Sequence, residues 1–257
     1  MKERVVTARD ESATAPAVRV EGLVKRFGAL RALAGVTLAV DAGEAFGLVG
    51  ANGAGKTTLI KCALDLCAFD SGSIQLFGIP VKEAASRRRL SYVPERFLPP
   101  HYLRAREFLE MMLGLAGQRY DAARAARQLE ELELERDVLE RPVRRLSKGM
   151  TQKLGLAAGF LPERDLYLLD EPMSGLDPAA RVAVKSVLRR MAREGRTLFF
   201  TSHVLADVEE LCSSIAVLDA GALRWRGTPK ALCERYGEAR LESAFMRCIR
   251  EQHAAHA

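Results

Sequence analysis

The chain has 257 residues, of which 48% are hydrophobic and 28% are charged, so it is long enough to bury a core in one large domain or two small ones. Its net charge of +6 is spread in short runs such as Arg87-Arg88-Arg89, which favours a solvated surface that attracts anionic ligands or an anionic membrane face over dedicated nucleic-acid binding. No apolar run approaches the roughly 20 residues that span a bilayer, so if a membrane is involved, we expect something else to carry the spanning helices.

The first 17 residues are charged and polar, which predicts a flexible tail rather than a signal peptide. The five cysteines have irregular spacing, and none forms the short Cys-x-x-Cys pair of a zinc or redox site. We therefore expect reduced, mostly packed thiols in a cytoplasmic protein.

Short β-like runs follow from Val18, and the third of them, "AFGLVG", leads into a glycine-rich loop. After the loop, "KTTLIKCALDLC" places Leu59, Ala63 and Leu66 at helical spacing. A further short run, "GSIQLFG", comes next. Strand, loop and helix in this order predict an α/β core.

The middle of the chain, about 96–160, is mainly helical in pattern. One candidate helix is "REFLEMMLGLAG", and a second begins at the N-cap Asp121 and continues through "DAARAARQLEELELERDVL" until Pro142 stops it. A third begins at Ser147. This region therefore reads as a helical insertion in the α/β core.

Strands return after the insertion. "DLYLLDE" and "TLFFTSH" are nearly all apolar, which is typical of strands covered on both faces, and the amphipathic helix between them predicts a parallel pair with a right-handed crossover. "SIAVLDAGALRWRG" predicts a hairpin that turns at Asp219-Ala220-Gly221. Residues 231–257 predict a C-terminal helical extension.

The glycine-rich loop, "GANGAGKT", fits the pattern G-x-x-x-x-G-K-[ST] of a phosphate-binding loop. Glycines allow successive backbone N–H groups to converge on one anion, and the following helix N-terminus adds a partial positive charge. Lys56 can reach the β- and γ-phosphates, and Thr57 offers a hydroxyl to Mg²⁺. The predicted nucleotide-binding residues of this loop are Gly50, Ala51, Asn52, Gly53, Ala54, Gly55, Lys56, Thr57 and Thr58.

Hydrolysis needs more than a binding loop, and "LYLLDE" supplies a second site. Its apolar strand ends in Asp170, a candidate ligand of Mg²⁺, and Glu171, a candidate base that polarises the attacking water. Parallel strands bring their ends to the same sheet edge, so we expect both acids near the loop.

These two motifs occur together with "LSKGMTQK" and "DEPMSGLDP", and in this order they strongly resemble the nucleotide-binding subunit of ABC transporters over about 18–228. The resemblance implies a P-loop NTPase core with a mostly parallel sheet, an antiparallel β subdomain and an inserted helical subdomain. It sets an ATP-binding domain at 18–230, with the insertion at about 96–160. The implied activity is ATP hydrolysis with ATP and Mg²⁺.

The resemblance also implies roles for single residues. The signature segment of one subunit caps the ATP of the other, so Ser147 would contact the γ-phosphate beside the N–H of Gly149. Phe27 corresponds to the aromatic residue that stacks on adenine. Asp177 lies in the loop that touches the paired subunit, and His203 contacts the γ-phosphate.

Two features point to the export-type subfamily. Glu95, in "SYVPERF", stands where the family commonly has glutamine, and "LESAF" at 241–245 resembles the end of export-type subunits. Glutamate accepts hydrogen bonds without donating them. A carboxylate here would be attracted to Mg²⁺, which makes Glu95 a further candidate metal ligand.

The implied mechanism pairs two copies, or this chain with a related subunit, around two ATP molecules. The pair would lie on the inner face of the cell membrane, where it would drive separate integral membrane permease subunits. Three alternatives remain open: an importer instead of an exporter, a soluble ABC-type ATPase of DNA repair or translation, and a regulatory module that binds ATP without turnover. Co-purification with nucleic acid would favour the second, and a phosphate-release assay decides the third.

Overall fold

The computed structural model describes residues 15–254 and places them in two sheets flanked by helices. The strands are β1 (Val18–Phe27), β2 (Leu30–Val40), β3 (Ala45–Val49), β4 (Ser71–Leu76), β5 (Ile79–Pro80), β6 (Leu90–Val93), β7 (Leu166–Asp170), β8 (Thr197–Ser202), β9 (Ser214–Asp219) and β10 (Ala222–Gly227). The α-helices are α1 (Lys56–Ala63), α2 (Ala105–Leu115), α3 (Ala122–Glu131), α4 (Lys148–Phe160), α5 (Pro178–Arg193), α6 (Leu205–Leu211), α7 (Pro229–Tyr236) and α8 (Leu241–Ala254).

The larger sheet has the strand order β10-β9-β3-β8-β7-β6, and its neighbours are parallel except for the β9–β10 hairpin. The smaller sheet, β2-β1-β4-β5, is antiparallel. The predicted α/β class, with a mostly parallel sheet and an antiparallel one, is confirmed.

The parallel sheet separates two apolar cores, and β7 shows how. Leu166 and Leu168 belong to the core shared with the antiparallel sheet and α1, whereas Tyr167 and Leu169 pack into the core under the helices. Because successive strand residues point to opposite faces, burial on both faces requires the unbroken apolar run that the sequence contains. The strand's acidic end is thereby held at a fixed sheet edge.

The second helix of the middle region is shorter than predicted. Asp121 does cap it, since its side chain accepts from the N–H groups of Ala123 and Arg124. However, α3 ends at Glu131, and Glu133 adopts a left-handed conformation with φ of 53°. The apolar residues expected to extend the helix instead bury themselves in the turn that follows, including Leu134, which is 4% exposed.

Helix α1 is also shorter than its apolar spacing suggested. It ends at Ala63, and Asp65 turns left-handed with φ of 57°. Leu59 and Ala63 are buried as predicted, but Leu66 is 69% exposed because it lies beyond the helix. The short elements β5, β6 and α6 were not predicted.

The two ends of the chain differ in what can be described. Residues 1–14 of the predicted tail lie outside the described residues. The predicted C-terminal helical region consists of α7 and α8, separated at Gly237, which has a positive φ. All five cysteines are free. None of the helices within residues 15–254 combines the length and apolar character that a bilayer crossing demands.

Candidate active site

The glycine-rich loop connects the buried strand β3 to α1, and its shape excludes side chains at two positions. A Cβ atom on Gly50 would lie 2.3 Å from the carbonyl oxygen of Leu218. One on Gly55, which has φ of 110°, would lie 2.6 Å from the carbonyl oxygen of Ala32. Because backbone atoms cannot yield as a flexible side chain does, glycine is required at both places.

Lys56 lies at the first position of α1 and is only 6% exposed. Its ammonium Nζ donates to the carbonyl oxygens of Gly50, at 2.7 Å, and Ala51, at 3.3 Å. It also lies 3.4 Å from Oε1 of Glu171. The lysine therefore holds the loop closed and faces the acid that follows β7.

A buried hydroxyl orients the acidic pair. Thr201 on β8 donates to Oδ1 of Asp170 at 2.7 Å, and its oxygen accepts from the backbone N–H of Glu171 at 2.9 Å. Glu171 has a left-handed φ of 48°, so the backbone turns sharply where the strand ends. Such strain in a non-glycine residue is typical of functional sites.

Glu171 lies between two basic groups. Its Oε2 is 2.9 Å from Nδ1 of His203, which follows β8, while Oε1 faces Lys56. Oε1 is buried and has no hydrogen-bond partner within the described residues. A buried carboxylate oxygen of this kind is costly to desolvate, and it is available to accept a hydrogen bond from a water or substrate atom.

These groups open onto one cleft of about 760 Å³. Of the predicted site residues, the structure brings Phe27, 51–58, Glu95, Glu171 and His203 to its lining. Gly50 is outside the lining, where it accepts from Lys56, and Asp170, which is 1% exposed, is also outside it. Phe27 is 51% exposed at the end of β1, and the ammonium of Lys25 lies over its ring, 4.7 Å from the ring centre.

Several cleft residues were missed because they carry no motif of their own. The turn of the β9–β10 hairpin reaches the loop through a hydrogen bond from the N–H of Gly221 to the carbonyl oxygen of Ala54, 3.0 Å long. The hairpin was predicted, but its approach to the loop depends on tertiary packing. The missed lining residues are Leu30, Arg31, Ala32, Ser174, Ala220 and Gly221.

Three more predicted residues do not line this cleft. Ser147 caps α4 by accepting from the N–H of Met150 at 3.2 Å, and Gly149 lies in the first turn of that helix. Asp177 caps α5 by accepting from the N–H of Ala180 at 2.9 Å. The loop before α5 lies beside the start of α4, since a Cβ on Gly175 would be 3.7 Å from the ammonium of Lys148.

The oxygen atoms at the cleft fit Mg²⁺. Thr57 supplies a hydroxyl, Asp170 a carboxylate, and Oε1 of Glu171, which faces Lys56, adds a further carboxylate oxygen. Within residues 15–254 no three His, Cys, Asp or Glu residues group as a complete metal site. Mg²⁺ usually binds through one or two carboxylates plus substrate phosphates, so a partial protein site suits this ion.

Tyr92, on β6, lies near the acids at this edge of the sheet, and its pKa is raised. Burial, reinforced by the charges of Asp170 and Glu95, raises the pKa of Tyr92 to about 12 from an ordinary value of 10. Both acids therefore lie close enough to act on the same ring.

The chain resembles known proteins across this region. The family model described as ABC transporter matches residues 33–174. The Nod factor export ATP-binding protein I of Burkholderia orbicola is 38% identical over 215 residues, covering 82% of this chain and 70% of the relative. A daunorubicin resistance ATP-binding protein of Streptomyces coeruleorubidus is 36% identical over 230 residues, covering 88% and 72%.

Other relatives are longer. The chain spans 55% of the length of an uncharacterized ABC transporter ATP-binding protein of Synechocystis, with 36% identity over 200 residues and 75% of this chain covered. Among solved structures, an ATP-binding subunit of an ABC transporter has a TM-score of 0.80 at 30% identity, covering 91% of this chain and 99% of its own. A dimeric ATP-binding cassette bound to ADP and Pi shares the fold, with a TM-score of 0.75 at 21% identity. The match covers 82% of this chain and 98% of that structure's chain.

Proposed function

Because the chain belongs to the ABC transporter family, we propose that it binds ATP in the cleft beside Lys56 and hydrolyses it to drive transport through separate membrane subunits. The observation that carries this proposal is Glu171, held between Lys56 and His203, whose buried Oε1 faces the Lys56 ammonium and has no hydrogen-bond partner within the described residues. That arrangement places a base next to a loop built for phosphates.

Each residue then has a part in hydrolysis. The loop and Lys56 hold the β- and γ-phosphates, while Phe27 stacks on the adenine. Oε1 of Glu171 accepts a proton from the attacking water, whose oxygen bonds to the γ-phosphorus as the bond to the β–γ bridging oxygen breaks and ADP leaves. Thr57 and Asp170, and on our proposal also Glu95, would hold Mg²⁺, which would supply positive charge beside the phosphates. His203 fixes the other oxygen of Glu171 and contacts the γ-phosphate.

The proposal includes dimerisation because one chain lacks part of the site. Ser147 and Gly149 open α4 away from the cleft, with the helix N-terminus exposed. A second copy would bring that positive helix end, and the loop ending at Asp177, to the γ-phosphate of the first. ATP would then hold two copies together, and its hydrolysis would release them.

The direction and location of transport follow the relatives. Two of them carry export or drug resistance in their names, so we propose export, with integral membrane permease subunits as partners. The chain would act on the inner face of the cell membrane. Its domains would be the cassette at 18–230, with the helical insertion at about 96–160, and the extension at 231–257.

A phosphate-release assay on the purified chain and its Glu171→Gln variant tests the function. Since a general base contributes about 10²- to 10⁴-fold, we expect the variant to lose at least about 100-fold in rate. It should still bind ATP, and it should elute as a stable dimer with ATP and Mg²⁺. Glu209→Gln, at an exposed position, is the control and should match the parent rate.

Other results would remove parts of the proposal. Hydrolysis by Glu171→Gln at the parent's rate would refute the role of Glu171. A parent chain that binds ATP without releasing phosphate would favour a regulatory module. Affinity capture from detergent-solubilised membranes tests the partner, and recovery of nucleic acid in place of a membrane protein would contradict transport.

A further inference from the structure

A ladder of charged residues joins α5 to α6 beside the candidate active site. Arg181, Lys185 and Arg189 recur every four residues, so they share one face of α5. Asp207 and Glu210 face them from α6. Arg181 pairs with Asp207, Lys185 pairs with both acids, and Arg189 pairs with Glu210.

Asp207 is the buried rung of this ladder. It is 2% exposed and receives two cations, with Lys185 Nζ at 2.9 Å from its Oδ1. Glu210, one turn further along the helix, is exposed. A buried carboxylate loses its hydration, and an apolar pair of similar volume often stabilises a fold as well or better. Stability alone is therefore a weak explanation for a charge at this place.

The position of the ladder suggests a different purpose. Both helices begin at site elements: α5 is capped by Asp177, which ends the loop from Ser174, and α6 follows His203 after the single residue Val204. Ser202 Oγ accepts from the N–H of Val204 at 2.9 Å, which makes the turn at His203 tight. A shift of α6 against α5 would therefore move His203 relative to the 174–177 loop.

A small cavity of about 90 Å³ connects the two groups in space. Glu171 and His203 line one part of it, and Arg181 and Asp207 line another, with Ser174 and Gly175 also in the wall. Asp207 is thus next to the catalytic pair without touching it. Any effect on the reaction must pass through the placement of the two helices.

We propose that Asp207 is a positioning residue, which fixes α6 on α5 through Arg181 and Lys185. It thereby holds His203 against Glu171 and keeps the 174–177 loop at a fixed position relative to His203. This inference rests on the proposed function, because it assumes that His203 and Glu171 serve ATP hydrolysis. It assigns the buried rung of the ladder, Asp207 with Arg181 and Lys185, to the geometry of the reacting groups and not to nucleotide binding.

The test measures kcat and nucleotide affinity of the full chain with Asp207→Asn. We expect kcat to fall at least about tenfold while the Kd for a fluorescent ATP analogue changes less than twofold. Asp207→Glu should restore part of the rate. Glu210→Gln removes the exposed rung of the same ladder and is the matched control, with a rate within twofold of the parent.

A double-mutant cycle separates positioning from general damage. In a His203→Ala background, Asp207→Asn should have little further effect, since the residue it places is gone. A full and independent loss there, or an unchanged kcat in the single variant, would overturn the proposal. If Asp207→Asn does not fold, Arg181→Gln should give the same result. Absence of ATP hydrolysis by the parent would instead reject the proposed function.

Discussion

The cleft and the segment 144–150 hold their charges in opposite ways. In the cleft, Lys56, Asp170 and Glu171 are buried and bonded within the chain. In the segment, Arg144, Arg145 and Lys148 are exposed, and the described part of the chain gives them no ion-pair partner. Cations at the start of α4 oppose the helix dipole.

In the proposed dimer, the cleft is the preformed part of the shared site, and the segment is the part that needs a second chain. The cleft is preorganised, so its residues are expected to act on a nucleotide bound to their own chain. The segment carries an unbalanced positive field, as expected of a surface that meets phosphates held by another molecule. Substitutions at Lys56 and Ser147 test this contrast.

Lys56→Ala should weaken the binding of ATP in the cleft. Removing a charged hydrogen-bond donor from the phosphates costs about 2 kcal/mol, which corresponds to roughly 30-fold weaker ATP binding. A titration with a fluorescent ATP analogue measures it. Lys61→Ala, an exposed lysine on the same helix, is the control and should bind like the parent; equal affinity for both variants would show that Lys56 does not contact phosphate.

Ser147→Ala should affect only the contact that the segment 144–150 makes with the nucleotide of the second chain. We expect ATP binding by the single chain to remain within twofold, while hydrolysis falls about tenfold, or about 1.4 kcal/mol, because the other chain's γ-phosphate loses a contact. Loss of the helix cap should also lower the free energy of unfolding by about 1 kcal/mol.

Thr228→Ala controls for that loss of stability. Thr228 caps α7 in the same way, accepting from the N–H of Ala231 at 3.1 Å. It should lower stability similarly and leave hydrolysis unchanged. Equal hydrolysis by Ser147→Ala and Thr228→Ala would contradict a role for Ser147 across the dimer.

Tyr92→Phe should have the smallest effect, which is a change in how the stability of the chain depends on pH. The pKa of Tyr92 is raised to about 12 in the folded chain, so above pH 10 the unfolded chain releases its proton first and stability falls as pH rises. After allowance for solvent around the partly exposed ring, the phenylalanine variant should escape about 1 kcal/mol of this loss by pH 11.

Urea unfolding at pH 8 and pH 11 measures the difference. Tyr102→Phe, whose ring is 83% exposed, is the control and should follow the parent's pH dependence. Parallel curves for the parent and Tyr92→Phe would mean that the pKa of Tyr92 is not raised in the folded chain.

Motifs with a fixed local geometry were predictable from the sequence. The strand–loop–helix around Lys56, the acidic end of β7 and the cap at Ser147 each depend on neighbouring residues, and each lies where it was expected. The end of α3 was predicted too late, because the apolar spacing through Leu132 and Leu134 continued after the backbone had left the helix.

Features that depend on distant elements could not be predicted in the same way. Asp207 reads as an ordinary solvated acid on a short helix, and only the packing of α6 on α5 buries it against Arg181. Thr201 likewise gains its role by lying beside Asp170 on the next strand.

The hairpin turn at Ala220-Gly221 has a practical consequence for labelling. Ala220 is exposed, which would make the turn look suitable for a reporter fusion. Yet the carbonyl oxygen of Gly221 accepts from the N–H of Ala34 at 2.8 Å, and its N–H binds the loop at Ala54. We expect a fluorescent-protein insertion there to distort the glycine-rich loop, and one at Gly117, after α2, to leave that loop unchanged.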